Sequence, residues 1–155
     1  MPHHNATVRW TNPATAEDFA KGRYSRAHEW AFDGGQVVRG SSSPSVVREP
    51  LSDPYGVDPE EALVAAVSSC HMLWFLDLAR KAGFVPASYE DEADGSLDKC
   101  DDGKVRITKI ILRPKIAWDG AAPDAAVLDG LHHQAHDLCF IANSITAEVV
   151  VEPRE

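Results

Sequence analysis

Two cysteines stand where a thiol can do chemistry. Cys70 lies about ten positions into a long apolar helical stretch that begins Asp58-Pro59-Glu60-Glu61, and Cys139 opens the segment Cys139-Phe-Ile-Ala-Asn143-Ser144 ahead of the last strand. A thiol inside a helix and a partner at a helix end suggest a redox pair that chain folding brings together. The third cysteine, Cys100, sits beside Asp101 and Asp102 in a turn and reads as an exposed bystander. A cysteine attacks as its thiolate, and an ordinary thiol with a pKa of about 8.5 is mostly protonated at neutral pH. So far into its helix, Cys70 gains little from the dipole, and burial raises a thiol pKa. A cation must therefore come from elsewhere. Arg23, in the Gly22-Arg23-Tyr24 turn, is the best donor and Arg26 the fallback, with Glu60 or Glu61 available to orient it. Ten residues of helix rise roughly 15 Å. Glu60 therefore cannot touch the Cys70 sulfur of its own chain, and must act through an arginine's reach or from another subunit. Without such partners, Cys70 on an apolar stripe reads as core filler.

A competing constellation is His132, His136 and Cys139, whose spacing of four and then three residues places them on one helical face as potential metal ligands. The bland alternative is a solvated helix face carrying His132, His133 and His136. Asp91, Glu92 and Asp94 read as a charged strand face. Trp74 and Phe75 read as core or as the wall of an apolar pocket suited to a fatty or aromatic substrate.

The elements that must position these residues follow from pattern and punctuation. A short strand at Thr7–Trp10 is followed by a Pro- and Ala-containing connection. Ala27–Phe32 and Gln36–Arg39 form a hairpin across Asp33-Gly34-Gly35. Residues 40–57 hold too much Pro, Ser and Gly for a regular element. Then Asp58 is an N-cap, Pro59 the first helical residue, Glu60 and Glu61 favour the helix N-terminus, and Gly83 is the stop. The apolar stripe predicted for this helix is Leu63, Val67, Cys70, Trp74 and Leu78, with Leu73 and Leu76 widening it. Ser88–Ile116 reads as a second hairpin turning at Cys100–Gly103, with a bulge near Lys109. A second helix spans about Pro123 to Leu138, and Thr146–Glu152 closes as a strand. The order β-β-β-loop-α-β-β-α-β indicates an α+β fold with largely antiparallel sheet.

Composition narrows the function classes. At 155 residues the chain fits one domain, 1–155, with a real core. A net charge of -9 without any Lys/Arg cluster argues against a nucleic-acid partner. The N-terminus Met-Pro-His-His-Asn has no basic segment leading an apolar core, and the longest apolar run is broken by Ser68, Ser69 and His71. The expectation is a cytoplasmic protein with no membrane partner, in a compartment where cysteine pairing is catalytic or sensing rather than structural.

Three stretches together resemble the OsmC/Ohr family of thiol-dependent hydroperoxide reductases. They are Asp58-Pro59-Glu60-Glu61 with Cys70 ten residues after the Glu, the hairpin Ala93–Lys99 with Ile107–Leu112, and Cys139 with Asn143-Ser144. Gly22-Arg23-Tyr-Ser-Arg26 is similar to the family's Gly-Arg turn. The resemblance implies an OsmC-like fold of largely antiparallel sheets wrapped around two core helices, and an intertwined homodimer with active sites at the interface. It makes Cys70 the peroxidatic cysteine and Cys139 the resolving one, with Arg23 holding the thiolate and polarising the peroxide and Glu60 orienting Arg23. It also implies reduction of organic hydroperoxides through a Cys70 sulfenic acid and a Cys70–Cys139 disulfide, in oxidative or osmotic stress defence. A dithiol reductant, such as a lipoylated protein, would reopen the disulfide, and no metal or organic cofactor is needed. Phe140 stands where the family usually has Pro, and His71 where an aromatic is common, which marks a distinct branch. A non-catalytic ligand-binding protein on the same fold is the alternative.

Overall fold

The computed structural model describes residues 1–155. The chain divides into two compact units, Met1–Ala62 and Leu63–Glu155.

In the first unit, β1 (Ala6–Arg9), β2 (His28–Phe32) and β3 (Val37–Gly40) form an antiparallel sheet in the order β1-β2-β3. The expected hairpin is present, with β2 starting one residue later than predicted and β3 shifted one residue along the chain. Gly35 takes the positive φ of 85° that its turn requires. The connection after β1 holds a short helix, α1 (Ala16–Ala20), which the sequence reading missed. Its signal was local: Thr15 accepts a hydrogen bond from the Asp18 N–H at 3.1 Å, an N-cap. Beyond β3 the chain runs irregularly to Val57, as its composition predicts. It is tied to β3 by hydrogen bonds from Val57 N–H to Arg39 O (2.9 Å) and from Ser41 N–H to Val57 O (3.1 Å).

The long helix α2 (Pro59–Lys81) starts at the end of the first unit. Asp58 and Glu61 cap it reciprocally: the Glu61 N–H donates to Asp58 Oδ1 at 2.8 Å, and the Asp58 N–H to Glu61 Oε2 at 3.2 Å. Its C-terminus closes on Gly83 (φ 86°), with Phe84 N–H reaching Ala79 O at 3.0 Å and Gly83 N–H reaching Arg80 O at 3.1 Å. α2 is long and apolar enough to cross a bilayer, with a mean hydropathy of 1.6 over 18 residues, a test that a core helix also passes.

The second unit takes the rest of α2 and builds on it. β4 (Pro86–Asp91) pairs with β7 (Pro114–Trp118), and β5 (Asp94–Lys99), β6 (Val105–Leu112) and β8 (Glu148–Val151) form a second sheet in that order. α3 (Ala125–Leu138), capped by Asp124, and a 3-10 turn at Ala142–Ser144 lead to β8. The single hairpin expected over Ser88–Ile116 is thus two nested pairs in two sheets. The inner turn at Cys100–Gly103 is where the sequence placed it, and the register slips opposite Ser96/Leu97, beside Lys109. The outer strands part because the Asp91 carboxylate accepts the Arg113 N–H at 2.6 Å, diverting that donor from the ladder.

Two apolar clusters fill this unit. Phe75, Ala79, Leu131 and Ala135 form one, and Val67, Ile110 and Leu112 form the other. The buried face of α2 is Val67, His71, Phe75 and Ala79 at strict i, i+4 spacing. The predicted stripe shared only Val67 with it, because a histidine in the series hid the period.

Candidate functional site

α2 presents Cys70 half-buried, and α3 ends on Cys139, which is its C-cap and is wholly buried. The backbone around Cys139 is tightly specified: its N–H donates to His136 O at 3.1 Å, and its carbonyl accepts the Asn143 N–H at 3.0 Å. The sulfur lies 4.0 Å from the carbonyl of Val67, one turn before Cys70 on α2, and accepts the Ala142 N–H at 3.4 Å. The two thiols are therefore neighbours, and all three cysteines of the chain are free. Burial pushes the Cys139 thiol up to about 11, the Cys70 side chain beside it adds to the rise through a hydrogen bond and its charge, and the Ala142 and Ile141 N–H groups oppose it. The two thiols thus differ in exposure, one half-buried and the other wholly buried. Cys100 sits at the turn between β5 and β6, away from the pair, with its sulfur 3.9 Å from Asp98 O.

Beside the thiols lies an arrangement that sequence reasoning did not find. His71 Nε2 and His132 Nδ1 are 3.1 Å apart, on rings inclined by 9° to one another. Both side chains are buried, at 1% and 3% exposure. Phe75 stacks on His132 at 4.4 Å between centroids. Burial holds both histidines down at about 4; His136 further lowers His71, which Asp91 partly offsets, and His71 further lowers His132. The pair is therefore neutral at neutral pH, one ring donating and the other accepting. Asp91, expected on a charged strand face, is half-buried and accepts from Ser68 Oγ at 2.5 Å, two residues before Cys70. The signals were the i, i+4 series through His71 and, on α3, the position of His132 beside Leu131 and ahead of Ala135.

The solvated helix face expected for the histidines holds only for His133, whose side chain is 76% exposed. The proposed ligand set of His132, His136 and Cys139 does not form: His132 Nδ1 faces His71, and no three His, Cys, Asp or Glu side chains converge as a metal site.

The first unit has its own pocket, of about 470 Å³, lined by Trp10, Phe19, Tyr24, Arg26, His28 and Glu60 among others. Its wall is an aromatic cluster, with Phe19 and Tyr24 at 4.6 Å and Trp10 and Tyr24 at 5.8 Å. The Arg26 guanidinium lies 3.7 Å over the Tyr24 ring and donates to the carbonyls of Gly22 (3.0 Å) and Tyr24. Arg26 and Glu60 thus share this pocket. Arg23 is outside its lining; half-exposed, it grips Asp18 Oδ1 through Nε at 3.0 Å and Nη2 at 2.5 Å.

The structure is a mixed α+β chain with two free thiols side by side, one on the long helix α2 and one at the end of α3. The chain belongs to the OsmC-like protein family, whose family model matches residues 52–154. It is 36% identical over 97 residues to peroxiredoxin OsmC of Escherichia coli, a match covering 63% of this chain and 66% of that protein, so the alignment spans about two thirds of the relative's length. It superposes with a TM-score of 0.94 and 48% identity on an OsmC-like protein of unknown function from Vibrio cholerae, covering 99% of this chain and 100% of the other. The organic hydroperoxide resistance protein OhrB of Bacillus subtilis shares the fold at a TM-score of 0.66 and 18% identity, covering 98% of each chain.

Proposed function

We propose that this chain is a cysteine peroxidase that reduces organic hydroperoxides to alcohols. The Cys70 thiolate attacks the terminal oxygen of the hydroperoxide, the O–O bond breaks, and the leaving alkoxide takes a proton to become the alcohol. Cys70 becomes a sulfenic acid, which the Cys139 thiol attacks; hydroxide leaves with the Cys139 proton as water, and a Cys70–Cys139 disulfide forms. A dithiol, small or protein-borne as on a lipoyl group, reopens the disulfide by exchange and is itself oxidised. The observation that carries the reading is the adjacency of Cys139 to Cys70, with the buried thiol held protonated until a sulfenic acid appears beside it.

The cation a peroxidatic thiolate needs is assigned to an arginine of the first unit. Arg26 suits the part better than Arg23, because it lines a pocket that Glu60 also lines, whereas Arg23 is paired with Asp18. The protein is further proposed to work as a cytoplasmic homodimer. Leu73 and Phe140 of the second unit are 64% and 68% exposed in the single chain, apolar surface that a second copy would cover.

The test is turnover of cumene hydroperoxide with dithiothreitol as reductant. Cys70→Ser is expected to abolish it, and Cys139→Ser still to consume one equivalent of peroxide when no reductant is present. A Cys70 thiol reacting with peroxide no faster than free cysteine would instead support a ligand-binding protein.

A further inference from the structure

The histidine pair sits on the two helices that carry the thiols. His71 is the residue after Cys70 on α2, and His132 lies about two turns before Cys139 on α3. Besides the 4.0 Å approach of the Cys139 sulfur to the Val67 carbonyl, these helices pack through the apolar side chains of Phe75, Ala79, Leu131 and Ala135, and apolar contacts tolerate sliding and rotation. The 3.1 Å bond between two neutral rings is directional. Its cost is plain, because His71 Nδ1 and His132 Nε2 are buried without partners, as is His136 Nδ1. Two leucines of similar size would fill the same space without that penalty. A disulfide, by contrast, needs its two Cα atoms within about 4.4–6.8 Å and its Cβ vectors facing, so an error of a fraction of a turn between α2 and α3 opens the gap.

We infer that His71 and His132 are positioning residues for the thiol pair: their hydrogen bond sets the register of α3 on α2 so that Cys139 meets Cys70 in disulfide-forming geometry. The inference rests on the disulfide step proposed above. The charged and titratable groups facing the pair are His136 of α3 and Asp91 of β4, with Tyr89 of β4 beside Asp91.

The experiment uses the full chain with Cys100→Ser, equilibrated in a glutathione redox buffer and acid-quenched, with the oxidised fraction read by mass. Glutathione rather than peroxide drives closure, so the result stands apart from whether the chain turns over hydroperoxides. His71→Leu/His132→Leu should keep or raise the melting temperature yet lower the equilibrium constant for the disulfide about tenfold, or about 30 mV. His71→Gln/His132→Asn places an amide donor and acceptor where Nε2 and Nδ1 stood, and should restore closure to within about twofold of the parent. Closure in the leucine variant within about twofold of the parent would show the pair to be core filling and overturn the inference. A folded Gln/Asn variant that closes no better than the leucine variant would overturn it too, as would a parent chain that forms no Cys70–Cys139 disulfide.

Discussion

The division of labour proposed for the two thiols follows from where each side chain sits. Cys139 is buried and held up at about 11, so little of it is thiolate near neutral pH, whereas Cys70 is half-buried and reachable. The arginines separate in the same way. Arg26→Ala is expected to lower kcat/KM for cumene hydroperoxide about a hundredfold, and Arg23→Ala to stay within about threefold, as befits loss of a preorganised cation and of an exposed ion pair respectively. Steady-state kinetics of the two variants checks this, and equal losses would return the role to Arg23. The cysteines were legible because thiols are few and their settings distinct. The choice of arginine was not: Arg23 and Arg26 lie in one short stretch, and what favours Arg26 in the proposal is its place in the pocket and the bond that ties Arg23 to Asp18. The histidine pair was hidden for another reason. A buried histidine looks polar in a pattern read for apolar residues, and its partner is 61 positions away.

Elements whose limits are set by neighbouring residues were readable, and those set by distant ones were not. Asp58, Pro59 and Gly83 bounded α2 because caps act within a turn of the chain. Asp58→Ala should cost about 1 kcal/mol in chemical denaturation, with the Asp58–Glu61 exchange lost. The division of the second hairpin into two sheets depends on Asp91 reaching a backbone donor 22 residues on, which no local pattern displays. β5 meets α2 closely at Gly95, where a β-carbon would stand 2.6 Å from Val64 Cγ2. Gly95→Ala is therefore expected to destabilise the protein by about 1–3 kcal/mol, since a β-branched side chain on a packed helix yields little. An unchanged denaturation midpoint would show that β5 can shift freely.

At the scale of the whole molecule, the buried neutral groups shape stability against pH. His71 and His132 are held at about 4 when folded, against about 6.5 when unfolded, so the unfolded chain gains protons first as pH falls. Their contribution is complete above about pH 6.5 and is lost as pH falls toward 4, by up to about 3 kcal/mol for each histidine. Cys139 works in the other direction: its raised pKa favours the folded state below about pH 9, and that contribution fades as pH rises toward 11. Melting temperatures recorded from about pH 4 to pH 8 should fall steeply on the acid side, and replacing both histidines by leucine should remove most of that slope. A slope unchanged by the replacement would place acid sensitivity elsewhere.

The pairing of β6 with β8 is parallel, and the partner strand comes about forty residues later, after β7 and all of α3. During synthesis, α2 and the β5–β6 hairpin are therefore made before the strand that completes their sheet. Until Cys139 has been added, Cys70 shares the nascent chain only with Cys100 at the hairpin turn. When β8 docks, the β5–β6 pair acquires its third strand, and Cys139, proposed to resolve Cys70, precedes that strand in the chain.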